Sequence, residues 1–272
     1  MIKKMSNKQY HASSGLSKSM MDKLKISPAH FKYLQDNPEE QTEAMLVGSL
    51  LHTLVLEPKL FDKEYAVLPV LDRRTSAGKQ AYAEFVEQNQ GKNIVTQEQL
   101  ELANTWAKAI KQHVKAKEFL KPKTGKNEVS IFWTDKETGE LCKARPDRIF
   151  DDYIIDLKTA VSSQQDAFQR KAYDLGYYRQ AAWFMEAFRQ EFAKEPKGFI
   201  IIAVEKSAPY NVVVYQFDQF AIEIGDKENR QLLNTYHECK ELGDWYGYDG
   251  PEPTVQSLGL PNYVIARNME EL

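Results

Sequence analysis

The chain has 272 residues, is 42% hydrophobic and carries a formal net charge of −3. Apolar and aromatic residues spread along its length exclude a disordered chain, and the near-neutral charge excludes a global pull toward polyanions, so any nucleic-acid contact must be a local patch. Two cysteines, Cys142 and Cys239, exclude a disulfide framework and a four-cysteine zinc or iron–sulfur site. No run approaches the roughly 20 apolar residues of a membrane span, and no apolar segment follows the first lysines as in a signal peptide. Free thiols suit a reducing compartment, so a cytoplasmic location without membrane contact is expected.

In chain order, "GLSKSMMDKLKISPAHFKYLQDNP" predicts one or two short helices, with Ser17 as N-cap and Pro28 in the first turn of the second. "EEQTEAMLVGSLLHTLVLEP" predicts a stronger helix ended by Pro58. "LPVLDRRTSAGKQ" reads as a loop leading into a helix over Ala77 to Gln88. Thr96 to Phe119 has helical periodicity, with Leu100, Ala103, Ala107 and Ile110 on one stripe. Then "EVSIFWTD", "GELCKARPDRIF" and "DYIIDLKTA" read as strands, rich in β-branched and aromatic residues. A long helix from Gln164 to Phe192, two strands in "KGFIIIAVEK" and "YNVVVYQFD", a helix over Phe220 to Leu242 and an extended Pro/Gly-rich tail complete the pattern. This order predicts an α/β fold, a central mixed sheet flanked by helices. It is read as one domain over 1–272, mainly helical over 1–120 and sheet-containing over 121–272.

Chemistry concentrates in "RPDRIFDDYIIDLKTA". Side chains alternate along a strand, so Asp156 and Lys158 share a face and Leu157 points to the other layer. A hairpin brings Asp147 beside Asp156. Adjacent carboxylates repel, and a divalent cation with oxygen ligands relieves this, which suits Mg²⁺ or Mn²⁺. Taken alone, Asp-x-Lys is more often a surface ion pair on a half-exposed strand. His52 lies four residues after Gly48 on one helix face among leucines, the setting of a core histidine. Gly48 would admit a close backbone neighbour.

Pro146-Asp147, eight residues, then Asp156-Leu157-Lys158 resembles the PD-(D/E)XK nuclease superfamily. With "GLSKSMMDKLKISPAHF", "VGSLLHTLVLEP", "DRRTSAGK", "EVSIFWTD", "YYRQAAWF" and "SLGLP" in order, the chain resembles the C-terminal nuclease domain of RecE-type exonucleases, in the RecB-like branch. The resemblance implies that Asp147, Asp156 and His52 hold metal with the Leu157 backbone carbonyl, and that Lys158 is catalytic. Glu128 would be a second-metal ligand or an outer group; its bland alternative is an exposed strand-edge glutamate. Gln180 matches the Gln of the relatives' Gln-x-x-x-Tyr, with Phe184 in place of the tyrosine, so a hydroxyl from Tyr177 or Tyr178 would have to substitute. The aromatic stripe of Tyr173, Tyr177 and Phe184 lines either a DNA channel or the core.

Arg73, Arg74, Thr75 and Lys79, on a turn before a helix, are candidates for phosphate binding through side chains and backbone N–H groups. Ser17 and Ser19 are weaker candidates for an end-phosphate pocket. The seven lysines from Lys108 to Lys126 read as a solvated helix face. The implied activity is a Mg²⁺-dependent exonuclease (Mn²⁺ as substitute) acting 5′ to 3′ on linear double-stranded DNA to leave 3′ overhangs for recombination by single-strand annealing. Implied partners are DNA ends, a ring of identical subunits and an annealing protein, in a bacterial host with a phage or prophage gene. The alternatives are a structure-specific or single-strand endonuclease of the same superfamily and an inactive DNA-binding module.

Overall fold

A computed structural model describes residues 2–121 and 124–269. The elements run β1 (Ile2–Lys3), α1 (Asn7–Ala12), α2 (Lys18–Ile26), α3 (Pro28–Asp36), α4 (Glu43–Leu56), α5 (Phe61–Glu64), β2 (Tyr65–Leu68), α6 (Ser76–Gln88), β3 (Asn93–Thr96), α7 (Gln97–Gln112) and α8 (Val114–Phe119). The second half holds β4 (Lys126–Asn127), β5 (Ser130–Thr134), β6 (Leu141–Ala144), β7 (Arg148–Phe150), β8 (Tyr153–Ala160), α9 (Gln165–Asp174), α10 (Tyr177–Phe192), β9 (Gly198–Glu205), β10 (Val212–Gln216), α11 (Gln219–Leu242) and α12 (Asn262–Met269). Helix starts follow local chemistry. Ser17, Ser27 and Thr42 accept hydrogen bonds from the N–H groups of Met20, His30 and Met45, and Pro28 opens α3.

The central sheet has the order β10-β9-β8-β7-β4, with β8 and β9 parallel and the other pairs antiparallel. Strand alternation sorts its residues between two cores. Ile154, Phe199, Ile201 and Ala203 face α10 and α11, while Ile155, Leu157, Ile200, Ile202 and Val204 face α4 and α7. Each fully buried Ile or Leu contributes about 1.5–3 kcal/mol, so both faces of β8 and β9 are anchored and a register slip would expose them. Asp156 pairs with Ile201 and Lys158 with Ala203, which puts the two charged residues on the α10 face. Both cores join residues from before and after position 120.

A second sheet, β1-β5-β6, is antiparallel. The β4–β5 and β6–β7 segments cross from one sheet to the other together. Asn127 pairs with Arg148 in the central sheet, and Ile131 with Ala144 in the second. Glu128 and Asp147 sit at that crossing, and the Glu128 N–H donates to the Asp147 carbonyl at 2.9 Å.

Several expectations are corrected. "GELCKARPDRIF" is two strands in different sheets, because the chain turns at Arg145-Pro146-Asp147. The long helix is two, broken at Gly176, whose φ of +63° is left-handed and whose α-carbon has Arg179 packed over it. Thr96–Phe119 is also two helices; His113 caps the second. The mainly helical first part also contains a parallel pair, β2 with β3, which the expected loop and helix touch only at Leu68 and Thr96. The tail ends in α12. No atom lies within 4 Å of a Cβ placed on Gly48, so that glycine serves no close approach; Gly225 does, since its Cβ would lie 2.6 Å from the Tyr178 carbonyl oxygen, where α11 meets α10.

No single helix among the described residues is long and apolar enough to cross a membrane. Helix α4 and the turn after it pass such a test only as a pair bent by 119°, and Val47, Leu50, Leu51 and Leu56 of α4 are buried in protein.

Candidate active site

The sheet crossing brings together residues from α4, β8 and α10. His52, on α4, directs Nε2 at the Leu157 carbonyl oxygen, 3.1 Å away. A carbonyl only accepts, so Nε2 carries a proton and Nδ1 faces Asp147 Oδ1 at 3.3 Å and Glu128 Oε1 at 4.0 Å. The other Asp147 oxygen accepts from the Leu157 N–H at 2.7 Å, which pins the carboxylate against β8. Asp156 is 1% exposed. Its Oδ1 accepts from Gln180 Nε2 at 2.7 Å, and its Oδ2 lies 2.6 Å from Lys158 Nζ without a well-directed hydrogen bond. The ring of Tyr177 covers the ammonium, 4.8 Å from Nζ.

Charge of both signs accumulates here in a largely buried setting. Burial works against the imidazolium of His52, yet the Asp147 charge and hydrogen bond, with Glu128 and Asp156 behind them, carry its pKa up to about 9. Burial and the Asp147 charge push Glu128 up to about 7 against His52 and Arg145. Burial also raises Asp156, against Lys158. Asp147 goes down because His52 and Lys158 outweigh its burial, and Lys158 stays above its ordinary value on the strength of Asp156 and Asp147. A cation bound through these atoms would compete with a proton on His52 Nδ1.

The donor set fits a divalent cation. His52, Glu128 and Asp147 each offer an atom within 4.8 Å of the others. Imidazole plus carboxylates suit Mn²⁺ and, less ideally for the nitrogen, Mg²⁺. The Leu157 carbonyl touches His52, whereas Asp156 stands outside this group of three, its oxygens turned to Gln180 and Lys158.

Other expected residues lie differently. Phe184 is buried and packs edge-on against Phe199, with ring centroids 6.1 Å apart, so it belongs to the core and not to a DNA surface. Tyr178 spends its hydroxyl on Glu228, leaving Tyr177 as the tyrosine beside Lys158. Ser17 caps α2, with the Ser19 hydroxyl 3.0 Å away; Lys18 between them bonds the Leu175 carbonyl and Asp22, and its ammonium feels the charge of Lys158. Arg73 stacks on Tyr82 at 4.0 Å, Arg74 pairs with Asp72, and Thr75 caps α6 through Gly78 N–H. Lys79 is exposed. The bonds of this turn are local, and none reaches the His52 cluster. Of the lysine run, Lys111 bonds the Leu54 carbonyl and Lys115 pairs with Glu118; Lys123 lies outside the described residues.

Sequence reasoning passed over Arg145. Its Nε donates to Glu128 Oε2 at 2.9 Å. Its place two residues before Asp147, on the strand-breaking side of Pro146, was the available signal.

No curated protein sequence matches the chain. Among solved structures, a candidate exonuclease from Eubacterium rectale superposes with a TM-score of 0.60 at 13% identity, over 97% of this chain and 98% of that one. That likeness concerns the fold. The protein SSO0001 overlaps less, with a TM-score of 0.29 at 14% identity over 70% of this chain and 86% of that one, and supports no structural argument. The family model described as a PDDEXK-like domain of unknown function matches residues 17–250. The mixed sheet, with Pro146-Asp147 entering one strand and Asp156-Leu157-Lys158 on the next, is the frame such a domain requires: this chain belongs to the PDDEXK-like DUF3799 family.

Proposed function

We propose that the chain is a divalent-metal-dependent nuclease that digests linear double-stranded DNA from its ends, 5′ to 3′, leaving 3′ overhangs. The observation that carries this reading is the meeting at one sheet crossing of His52, Glu128, Asp147, Asp156 and the Leu157 carbonyl, with Lys158 beside them. In this reading His52, Asp147, Asp156, Glu128 and the Leu157 carbonyl hold Mg²⁺, or Mn²⁺ in its place. The cation, when bound, lowers the pKa of water and takes up negative charge on the phosphate.

The chain's own residues do the rest. Lys158, held charged by Asp156 and Asp147, lies against the scissile phosphate and stabilises charge that develops there. Gln180 orients Asp156 by its bond to Oδ1, and Tyr177 shields the ammonium from water. Arg73, Arg74, Thr75 and Lys79 bind backbone phosphate away from the cluster, and Ser17 and Ser19 receive the end phosphate. By the same reading the protein acts in the cytoplasm as a homo-oligomeric ring with a single-strand annealing partner in recombination. Light scattering that shows only monomer at working concentration would remove the ring.

The test uses duplex labelled separately at each 5′ end, with and without Mg²⁺, beside a closed circular duplex. Expected are early release of 5′ label, dependence on Mg²⁺ or Mn²⁺, and an intact circle. No digestion with either metal overturns the nuclease reading, and cutting of the circle replaces it with an endonuclease.

A further inference from the structure

We infer that Arg145 is a positioning residue of this centre: it takes one oxygen of the Glu128 carboxylate and leaves the other for a divalent cation. The inference rests on the metal-dependent reading above.

Glu128 stands in an unusual place. It is a non-glycine residue at φ +49°, in the left-handed region, where the chain leaves β4 for β5. Such a conformation is strained and persists only where surrounding contacts dictate it. Here the Glu128 N–H bond to the Asp147 carbonyl and the double crossing of the strands dictate it. The result aims the carboxylate at the His52 and Asp147 pair.

Arg145 then divides the two oxygens. Nε donates to Oε2 at 2.9 Å. Nη1 does not continue onto Glu128; it donates to the Met5 carbonyl at 3.2 Å and to Ser130 Oγ, and the guanidinium lies 5.8 Å over the Tyr10 ring. The fork is therefore fixed by partners that do not depend on Glu128, and Oε1 stays open, 4.0 Å from His52 Nδ1. The Arg230–Asp135 pair shows how a purely structural pair is built in the same molecule. There Nη1 and Nη2 take both carboxylate oxygens, at 2.9 and 2.8 Å.

The bracing of Arg145 reaches the first dozen residues. β1 pairs with β5 at Ile131 and Ser130. Buried Lys143 donates to the carbonyls of Tyr10 and Ser13 and so fixes the segment that carries the Tyr10 ring. The segment from Ile2 to Ser13 thus braces Arg145 through the Met5 carbonyl and the Tyr10 ring.

The test is a Mn²⁺ titration by calorimetry of the full chain and of Arg145→Ala, Arg145→Lys, Glu128→Gln and the double variant Arg145→Ala/Glu128→Gln. Thermal unfolding of each metal-free protein checks the fold. Loss of an outer partner of a ligand weakens metal binding about 10–100-fold. That loss is expected for Arg145→Ala, with a smaller one for Arg145→Lys, which keeps charge without the fork and serves if the alanine variant does not fold. In the Glu128→Gln background Arg145→Ala should change nothing further. Wild-type affinity in both Arg145 variants overturns the inference, as does an equal loss in both backgrounds, which would make the arginine a fold residue. If the unaltered chain binds no Mn²⁺, the metal-dependent reading falls first and this inference with it.

Discussion

Two of the buried groups of charge on this scaffold are built to opposite ends. Asp135 and Glu140, flanking the β5–β6 turn, are saturated. Asp135 accepts from the N–H groups of Glu137 and Thr138, from the Thr138 hydroxyl and from two Arg230 nitrogens; Glu140 accepts from Lys240, with His237 3.0 Å away. Burial opposes ionisation in both, yet these partners hold both carboxyls below their ordinary values. At the sheet crossing, three carboxylates face two permanent cations, Lys158 and Arg145, and a histidine. There Glu128 and Asp156 are pushed up. The same residue types make a staple where each oxygen has a donor, and a strained, acid-rich centre where donors are withheld. Perturbed carboxylates in a cluster mark function where an oxygen is left without a donor, and structure where every oxygen has one.

The comparison breaks most sharply through activity. Asp156→Ala or Lys158→Ala should lower digestion of linear duplex by about 10³-fold or more with the fold retained. Asp135→Ala should leave the rate per folded molecule unchanged. Single-turnover digestion beside circular dichroism reads both, and full activity in either site variant would dissolve the assignment.

Next in size is stability. Asp135→Ala removes the cap of a turn and strands Arg230, and should cost about 2–3 kcal/mol in urea unfolding, where the site variants cost less. The two clusters also part in their response to acid. Asp135 and Glu140 have depressed folded pKa values, so their contribution is complete above the unfolded values of about 4 and fades as pH falls through the lower folded values. Arg230→Ala should therefore flatten the loss of stability below about pH 4, measured as midpoint against pH.

The smallest effect has the opposite sign. Glu128 is raised to about 7 in the fold, so folding disfavours its ionised form above its unfolded pKa. Glu128→Gln should raise the midpoint of the metal-free protein slightly at pH 8 while weakening Mn²⁺ binding. A lowered midpoint would place Glu128 with the structural staple.

Much of this was legible in order and spacing. The strand period put Asp156 and Lys158 on one face, and the caps at Ser17 and the proline of α3 announced their helices. Where reading failed, long-range contacts had decided. Whether Phe184 lines a channel or the core stayed open in the sequence; the packing of α10 on Phe199 places it in the core. "GELCKARPDRIF" looked like one strand because nothing local says that Leu141–Ala144 and Arg148–Phe150 pair in different sheets. β2 and β3 are four residues each and find partners only in one another, across α6.

By itself, the sequence determined the period of β8 and the chemical types available for a metal centre. It also determined the helix starts, because alternation and capping depend on neighbours within a few residues. Only the tertiary structure decided that His52, 105 residues from Leu157, meets its carbonyl, that Glu128 and Asp147 face each other where two sheets exchange strands, and that Arg145 holds one oxygen of Glu128 and not both. Those contacts join segments whose separation along the chain carries no local signal, and packing on the two faces of one sheet is what closes the distance.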